Sequence, residues 1–353
     1  MNRKNFAFLF IFVFIIGAIS TFAQPKRVRQ IPAKQVIQVT NALAASLPAS
    51  DGVINIDLKR LMNEALPQMF ATNPEMMTEI NGKITEVQNR TGIDLRQFEQ
   101  IAVGITFKQV SAKEIDFAPL ILGRGKFNAG AVLALAKIAA KGKFREEKIG
   151  EKTVYVFSAQ EIMEQNKPAI NNSTLGKMVD KALKSLKNEI AVTTFDDNTL
   201  AIGTLERVRE TLTTQTKINP GILAFINRKP TAVMSFGANT PKGMTAFFNM
   251  DNDEIGKMLA GVRSLYGSME AVDGNMAVAV VAKSADLQNA KDMEESLSGF
   301  QMVGKGLLSG SKGRDKEVYA RMIDNAKITR KLTEVMLDLK VPQSDINILL
   351  GKK

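Results

Sequence analysis

The stretch Lys143-Phe144-Arg145-Glu146-Glu147-Lys148-Ile149-Gly150-Glu151-Lys152-Thr153-Val154-Tyr155-Val156-Phe157-Ser158 decides the fold. Two strand-like runs, 143–149 and 152–158, flank Gly150-Glu151, a turn pair that lets the chain reverse and the runs pair antiparallel. Outward from this hairpin the hydrophobic period changes. Upstream, Asn128 caps a helical run ending at Gly142, itself preceded by a strand near Ala118 to Leu122. Downstream, Ser158 and Glu161 have the spacing of a capping box that opens a further helix. Strand, helix, hairpin, helix is the grammar of an α+β chain.

The same order returns later. Met244 to Asn249 reads as a strand, and a helix from Asp251 carries Ile255, Met258, Leu259, Val262 and Leu265 to Gly267. Asp273-Gly274 then signals a two-residue turn feeding the strand Met276, Val278, Val280, Ala282. A long helix with Met293, Leu297, Phe300 and Val303 follows. The reading is α+β: antiparallel sheets with helices on one face, and two halves of strand-helix-hairpin-helix units that are candidates for internal duplication. The likeness lies in element order, not residue identity.

The remaining elements fit around these units. Val53-Ile54-Asn55-Ile56 is a short strand, and Asp57 caps a helix carrying Leu58, Leu61, Met62, Ala65 and Leu66 that Pro67 ends or kinks. Asn73-Pro74 opens a helix with Met76, Met77, Ile80, Ile84 and Val87 on one face up to Gly92. Ile101, Val103, Ile105 and Phe107 alternate with Ala102, Gly104 and Thr106 as a half-buried strand. Ile190 to Phe195 pairs with Thr199 to Ile202 across Asp196-Asp197-Asn198, and a helix runs from Thr204 to about Thr214. At the end come a helix over 315–324 and a strand in which Val335, Leu337, Leu339 and Val341 alternate before Pro342. Residues 51–218 form a first half and 230–353 a second. Asn219-Pro220-Gly221 and Arg228-Lys229-Pro230 mark the boundary.

The N-terminus gives location. Arg3-Lys4 precede fourteen uncharged residues, Phe6 to Ile19, and Thr21-Phe22-Ala23 ends in small side chains. A basic region, an apolar core and a short exit are the parts of a secretory signal, so residues 1–23 read as a signal peptide and 24–50 as a basic leader and connecting segment. The protein is then secreted or periplasmic after cleavage near Ala23. The rival is an N-terminal membrane anchor: the uncharged run nearly reaches the roughly 20 residues of a spanning helix, and Lys26, Arg27 and Arg29 beyond the cut resist translocation. No later segment is long and apolar enough to span a bilayer.

Composition limits the chemistry. The chain has no His, Cys or Trp among its 353 residues. That excludes Ser-His-Asp and Cys-His hydrolases, thiol redox chemistry, lipidation at cysteine, and zinc or haem held by His or Cys. Loss of residues 1–23 removes Arg3 and Lys4 and no acid, lowering the formal charge from +11 to +9. That balance suits acidic partners in general. Only thirteen Phe and three Tyr remain after the signal, which weighs against sugar clefts and single-stranded nucleic-acid grooves built on exposed aromatic rings.

Five short constellations invite a chemical reading and each has a plainer one. Ser309-Gly310-Ser311-Lys312 has the Ser-x-x-Lys spacing, but in a glycine-rich loop where no helix fixes the lysine over the serine. Gly150-Glu151-Lys152-Thr153 resembles the end of a phosphate loop with a glutamate where phosphate would lie, and Gly123-Arg124-Gly125 lacks the rest of a dinucleotide fingerprint. Asn249, Asp251 and Asp253 occupy calcium-loop spacings, yet Glu254 and Ala260 stand where glycine and the bidentate glutamate belong. Asp196-Asp197 is a turn rather than a carboxylate pair. We assign no catalytic residue, metal ligand or cofactor.

Lys177, Lys181, Lys184 and Lys187 recur at four, three and three residues opposite Leu175, Val179, Ala182, Leu186 and Ile190, which lines them along one face of a helix. This ridge is the candidate binding site for an anionic envelope component, against the plainer reading of a solvated face. Specific nucleic-acid binding is not expected. The opening Leu47-Pro48-Ala49-Ser50-Asp51 to Leu58-Lys59-Arg60-Leu61 and the ending Val341-Pro342-Gln343-Ser344-Asp345-Ile346 are loosely similar to uncharacterised secreted proteins of environmental bacteria. The resemblance has no diagnostic motif, and it implies a fold and an exported location but no activity. The expected function is that of an exported soluble protein with a non-catalytic binding or scaffolding role in the cell envelope. The alternatives are a hydrolase using Ser-Lys or carboxylate chemistry and a polyanion-binding module.

Overall fold

The computed structural model describes residues 41–111, 114–158, 189–240, 260–308 and 313–349. They build one antiparallel sheet of twelve strands. In chain order these are β1 (Gly52–Asp57), β2 (Phe98–Ser111), β3 (Glu114–Gly125), β4 (Phe144–Ile149), β5 (Lys152–Ser158) and β6 (Glu189–Asp196), then β7 (Thr199–Gly203), β8 (Met234–Asn239), β9 (Val262–Val272), β10 (Asn275–Ser284), β11 (Lys327–Lys331) and β12 (Glu334–Pro342). Their spatial order is β11-β12-β10-β9-β8-β1-β2-β3-β7-β6-β5-β4. The two halves of the chain thus meet edge to edge where β1 pairs with β8, Ile54 opposite Phe236.

Outward from that central pair the halves run alike. β1-β2-β3 on one side matches β8-β9-β10 on the other, and in each half a hairpin returns its second strand, β7 or β12, to the side of the third. The first half inserts the extra hairpin β4-β5, whose Ile149 lies opposite Lys152 across Gly150-Glu151. The second turns at Asp273 and Gly274, with φ of 52° and 71°. A type I′ turn requires this pair of positive angles, and a glycine adopts the second without strain.

Register fixes which side chains share a face. Val53, Gly104 and Leu120 stand in one row and Ile54, Val103 and Ile121 in the next, on opposite faces. The first row meets three helices: α1 (Ala42–Ala45), α5 (Leu205–Thr213) and α6 (Pro220–Ile226). With them Leu43, Leu47, Leu120, Leu122, Val208 and Ile222 form one core cluster. On the opposite face of the second half a larger cluster lies under α2, which runs Leu58–Arg60, Leu61–Ala65, Leu66–Met69, and under α3 (Pro74–Thr91), α8 (Arg314–Asp324) and α9 (Gln343–Leu349). Helix α4 (Ala129–Ala139) brings Lys137 over the Tyr155 ring, and α7 (Leu287–Leu308) adds a small cluster around Ala290 and Met293. The helices expected on one face therefore divide between both, because a twelve-stranded sheet has two apolar surfaces to cover.

Local signals account for most element ends. Asn73, Asn128, Thr204 and Asn219 each accept a backbone hydrogen bond as the N-cap of α3, α4, α5 and α6, and Gly92 closes α3 at φ 73°. One reading is narrowed and one is corrected. Pro67 does not end its helix: a π turn over Leu61–Ala65, where the Leu66 N–H reaches back to the Leu61 carbonyl, shifts the hydrogen-bond register ahead of the proline. The helix read from Asp251 to Gly267 is strand from Val262 onward. β9 is paired on both sides and buries residues from both of its faces, Ser264 and Tyr266 on one and Met269 on the other, so its apolar positions do not alternate cleanly.

Both outer strands are short and charged. β11 reads Lys327-Ile328-Thr329-Arg330-Lys331 and β4 reads Phe144-Arg145-Glu146-Glu147-Lys148-Ile149. Charge on an edge discourages addition of a further strand. Replacing Lys327, Thr329 and Lys331 together by Val should shift elution in size-exclusion chromatography toward larger species as concentration rises. Unchanged elution would mean that the edge lysines play no such part.

Candidate functional site

A cleft of about 330 Å³ opens at the rim of the sheet, where the loop into β8 crosses between α2 and the end of β9. Its size falls in the range of small-molecule sites. Arg60, Glu64 and Gln68 enter it from α2, and Thr231 and Glu270 face them from the loop and β9. Val272 supplies apolar surface, with the buried Ala65 and Val233 behind the wall. The π turn of α2 lies along this wall, and such turns recur at functional sites.

The polar groups are held from outside the cleft. Asp57 accepts the backbone N–H of Arg60 at 2.8 Å, fixing the first turn of α2. The Arg60 guanidinium donates through Nη1 to the carbonyls of Pro230 at 2.8 Å and Ala232 at 3.3 Å, tying the helix to the loop. Its Nε lies 3.7 Å from Glu64 and its Nη1 3.7 Å from Asp57. Across the cleft Thr231 donates to Glu270, which also receives Lys229 at 3.2 Å. Glu270 is only 13% exposed while Glu64 is 64% exposed, so one carboxylate is set in the wall and the other stands on the lip.

A polar network lies beyond the loop. Arg228 packs over the Tyr266 ring, 4.3 Å from its centroid, and Phe225 stacks on the same ring at 4.3 Å. Arg228 also donates to the Tyr266 hydroxyl and to Glu334 at 3.3 Å. Burial, together with the hydrogen bond and charge of Glu334, raises the Tyr266 phenol far above its ordinary range. Burial pushes the Glu334 carboxyl up, but the hydrogen bonds from Tyr266 and Arg228 prevail and hold it low. This network pins the end of α6 to β9 and β12. A phenol so hard to ionise is no general base.

Asp338 has the opposite balance: burial raises it, and the charges of Lys229 and Lys327 offset only part of that. An acid whose folded pKa is raised opposes folding above that pKa, and the penalty disappears as pH falls through it. Asp338→Asn should therefore raise stability at neutral pH, and the gain should fade toward acidic pH. Urea unfolding at both pH values would show it; a variant less stable than the parent at neutral pH would refute it.

A smaller cleft of about 150 Å³ lies between Gly92 and the tilted pair Phe98 and Phe127, whose centroids are 4.5 Å apart. It is mostly apolar. On α7 Phe300, Val303 and Leu307, spaced three and four apart, are exposed on one face.

The motifs singled out in the sequence fall elsewhere. Lys177, Lys181, Lys184 and Lys187 lie outside the described residues, as do Ser309 to Lys312 and Asn249, Asp251 and Asp253. Gly150-Glu151 is the hairpin turn it was read as. Arg124 of the Gly123-Arg124-Gly125 run pairs with Asp196 at 3.2 Å, so this glycine pair and the Asp196-Asp197 turn serve one structural contact. Among the described residues no group of three His, Cys, Asp or Glu side chains is placed to hold a metal ion. Sequence reading missed Arg60, Glu64, Thr231 and Glu270. The spacing of Arg60, Glu64 and Gln68, each four apart opposite the apolar positions of α2, was the one local signal available.

No protein-family model and no curated protein matches the chain. Solved structures similar in overall form are crystal forms of TP0453. Form III has 7% identity and a TM-score of 0.46, covering 87% of this chain and 96% of that one. Form I gives 7% and 0.41 over 87% and 95%, and form IV 8% and 0.41 over 87% and 96%. Likeness at this level carries no statement about activity.

Proposed function

We propose that the chain is exported, is released by cleavage after Ala23, and acts as a non-catalytic binding component of the cell envelope, with the rim cleft as its binding place. The observation that carries this reading is the fixed guanidinium of Arg60. Two backbone carbonyls hold it in place at the wall of a half-polar cleft, the arrangement expected where a ligand must find a prepositioned donor. The tripartite pattern of residues 2–23 supports export. An N-terminus at Gln24, or its cyclised form, should appear by mass spectrometry of the extracytoplasmic protein; an intact Met1 in the membrane fraction would favour the anchor.

The binding role is tested by thermal-shift screening of a diverse metabolite panel against the parent and Val272→Trp. Val272 lines the cleft and is 39% exposed, so an indole there fills space without entering the core. Ligands that stabilise the parent should not stabilise the variant. Equal shifts in both, or none in either, would defeat the proposal. One observation favours the hydrolytic alternative: Thr231 donates to the Glu270 carboxylate, so a hydroxyl and a base are in contact. A fluorophosphonate probe should leave Thr231 unlabelled, and stoichiometric labelling there would select that alternative.

A further inference from the structure

We infer that the rim cleft takes a small zwitterion with an aliphatic side chain, a free amino acid or a short peptide; this rests on the cleft being a binding site as proposed above. The first support is the geometry of Arg60. A guanidinium presents its N–H groups in a rigid planar fork. The two carbonyl contacts of Arg60 both use Nη1, so the remaining side-on edge, Nε with Nη2, is the one turned to other partners. Its nearest carboxylate, Glu64, stays 3.7 Å from Nε, an ion-pair distance rather than a hydrogen bond. A ligand carboxylate can seat bidentately on that edge, a stronger and more directional contact than the one it displaces.

The second support is charge. Of the groups lining the cleft Arg60 is cationic, whereas Glu64 and Glu270 are anionic. A simple anion would meet two carboxylates and a simple cation would meet the guanidinium. A molecule carrying both charges satisfies each side, its ammonium facing the exposed Glu64 while its carboxylate meets Arg60. The third is the apolar wall at Ala271 and Val272, backed by the buried Ala65 and Val233, which suits a short aliphatic side chain and has no aromatic ring to stack a nucleobase or sugar.

Isothermal titration of the full mature chain with L-leucine, Leu-Leu, leucinamide and N-acetyl-leucine tests the inference. Leucine or Leu-Leu should bind, and removal of either terminal charge should weaken binding about tenfold or more, since a charge-assisted contact contributes on that scale. Tighter binding of Leu-Leu than of leucine would assign the site to peptides, and the reverse to free amino acids. Arg60→Lys keeps the charge and loses the fork, so it should also weaken binding about tenfold; circular dichroism confirms that it folds, and Glu64→Gln, which leaves the loop tether intact, should weaken binding of leucine while leaving leucinamide no better bound than before. Leucinamide binding as well as leucine, or undiminished binding by both variants, would overturn the inference. So would failure of leucine and Leu-Leu at millimolar concentration; if other panel compounds then bind in a manner blocked by Val272→Trp, the binding role survives and only the ligand class is lost.

Discussion

Leu120→Ala should lower the stability of the protein by about 3–5 kcal/mol, the upper part of the range for truncating a buried leucine. Leu120 is fully buried in the core of the first half. In the sheet it stands between Gly104 on β2 and Gly203 on β7. Neither neighbour has a side chain that could move into the space. Nor can the glycines be enlarged to compensate, since a Cβ on Gly203 would lie 2.5 Å from the Pro119 carbonyl oxygen and 3.1 Å from the Leu120 Cα. The cavity would stay open, and its cost adds to the lost transfer free energy. Urea unfolding of the two proteins measures the difference. Ile138→Ala, at a position 73% exposed, serves as the control and should change stability by less than about 0.5 kcal/mol. A loss at Leu120 no greater than at Ile138 would show that this core is not packed as described.

Arg207→Ala should cost about 2–4 kcal/mol, for a different reason. The Arg207 side chain is 4% exposed and comes from α5 to hold the segment ahead of β1. It donates to the Ala49 carbonyl at 2.9 Å, to the Ser50 hydroxyl at 2.6 Å and to Glu210. Truncation removes a charged donor from two part-buried acceptors, and a hydrogen bond to a charged group contributes about 1.5–3 kcal/mol. Glu210 is 39% exposed and regains water, so its loss of the arginine adds little. Arg207→Met, which restores much of the volume but no donors, separates the two contributions: it should recover only the packing part. If the methionine variant unfolds at the same urea concentration as the parent, the hydrogen bonds of Arg207 contribute nothing and the side chain is held by packing alone.

The separate network of Arg228, Tyr266 and Glu334 has a pH effect. Glu334 is held low by Tyr266 and Arg228, so its contribution to stability is complete above the ordinary carboxylate range and is lost as pH falls through its lowered pKa. Tyr266→Phe removes the hydroxyl and with it the main group holding Glu334 low. The variant should be less stable than the parent at neutral pH by about 1–2 kcal/mol, with the difference shrinking in acid. A difference constant with pH would detach Glu334 from the network.

Much of the local structure follows from short-range rules. Asn73 before Pro74, Asn128, Thr204, and Asn219 before Pro220 each satisfy the first free N–H groups of a helix, and the Asp273-Gly274 turn supplies the positive φ pair a tight hairpin needs. Such signals act over a few residues, and the sequence carries them whatever the rest of the chain does. Alternation in Ile101 to Phe107 likewise marks a strand wherever that strand is placed. The absence of His and Cys, and the pattern of the first 23 residues, are also properties of the sequence itself.

Tertiary structure decided the rest. That β1 pairs with β8 across about 180 residues, joining the halves into one sheet, depends on matching apolar faces far apart in the chain. No local spacing records it. The segment from Val262 became a strand because β8 and β10 flank it on both sides, outweighing apolar positions that also fit a helical period. The cleft has the same origin. Arg60 is set by the carbonyls of Pro230 and Ala232, and Thr231 by Glu270, contacts between segments separated by most of the first half or by a full strand pair. Sequence determined which residues carry charge and where helices and turns begin; only the folded sheet, by burying both its faces, determined which of those charges face one another.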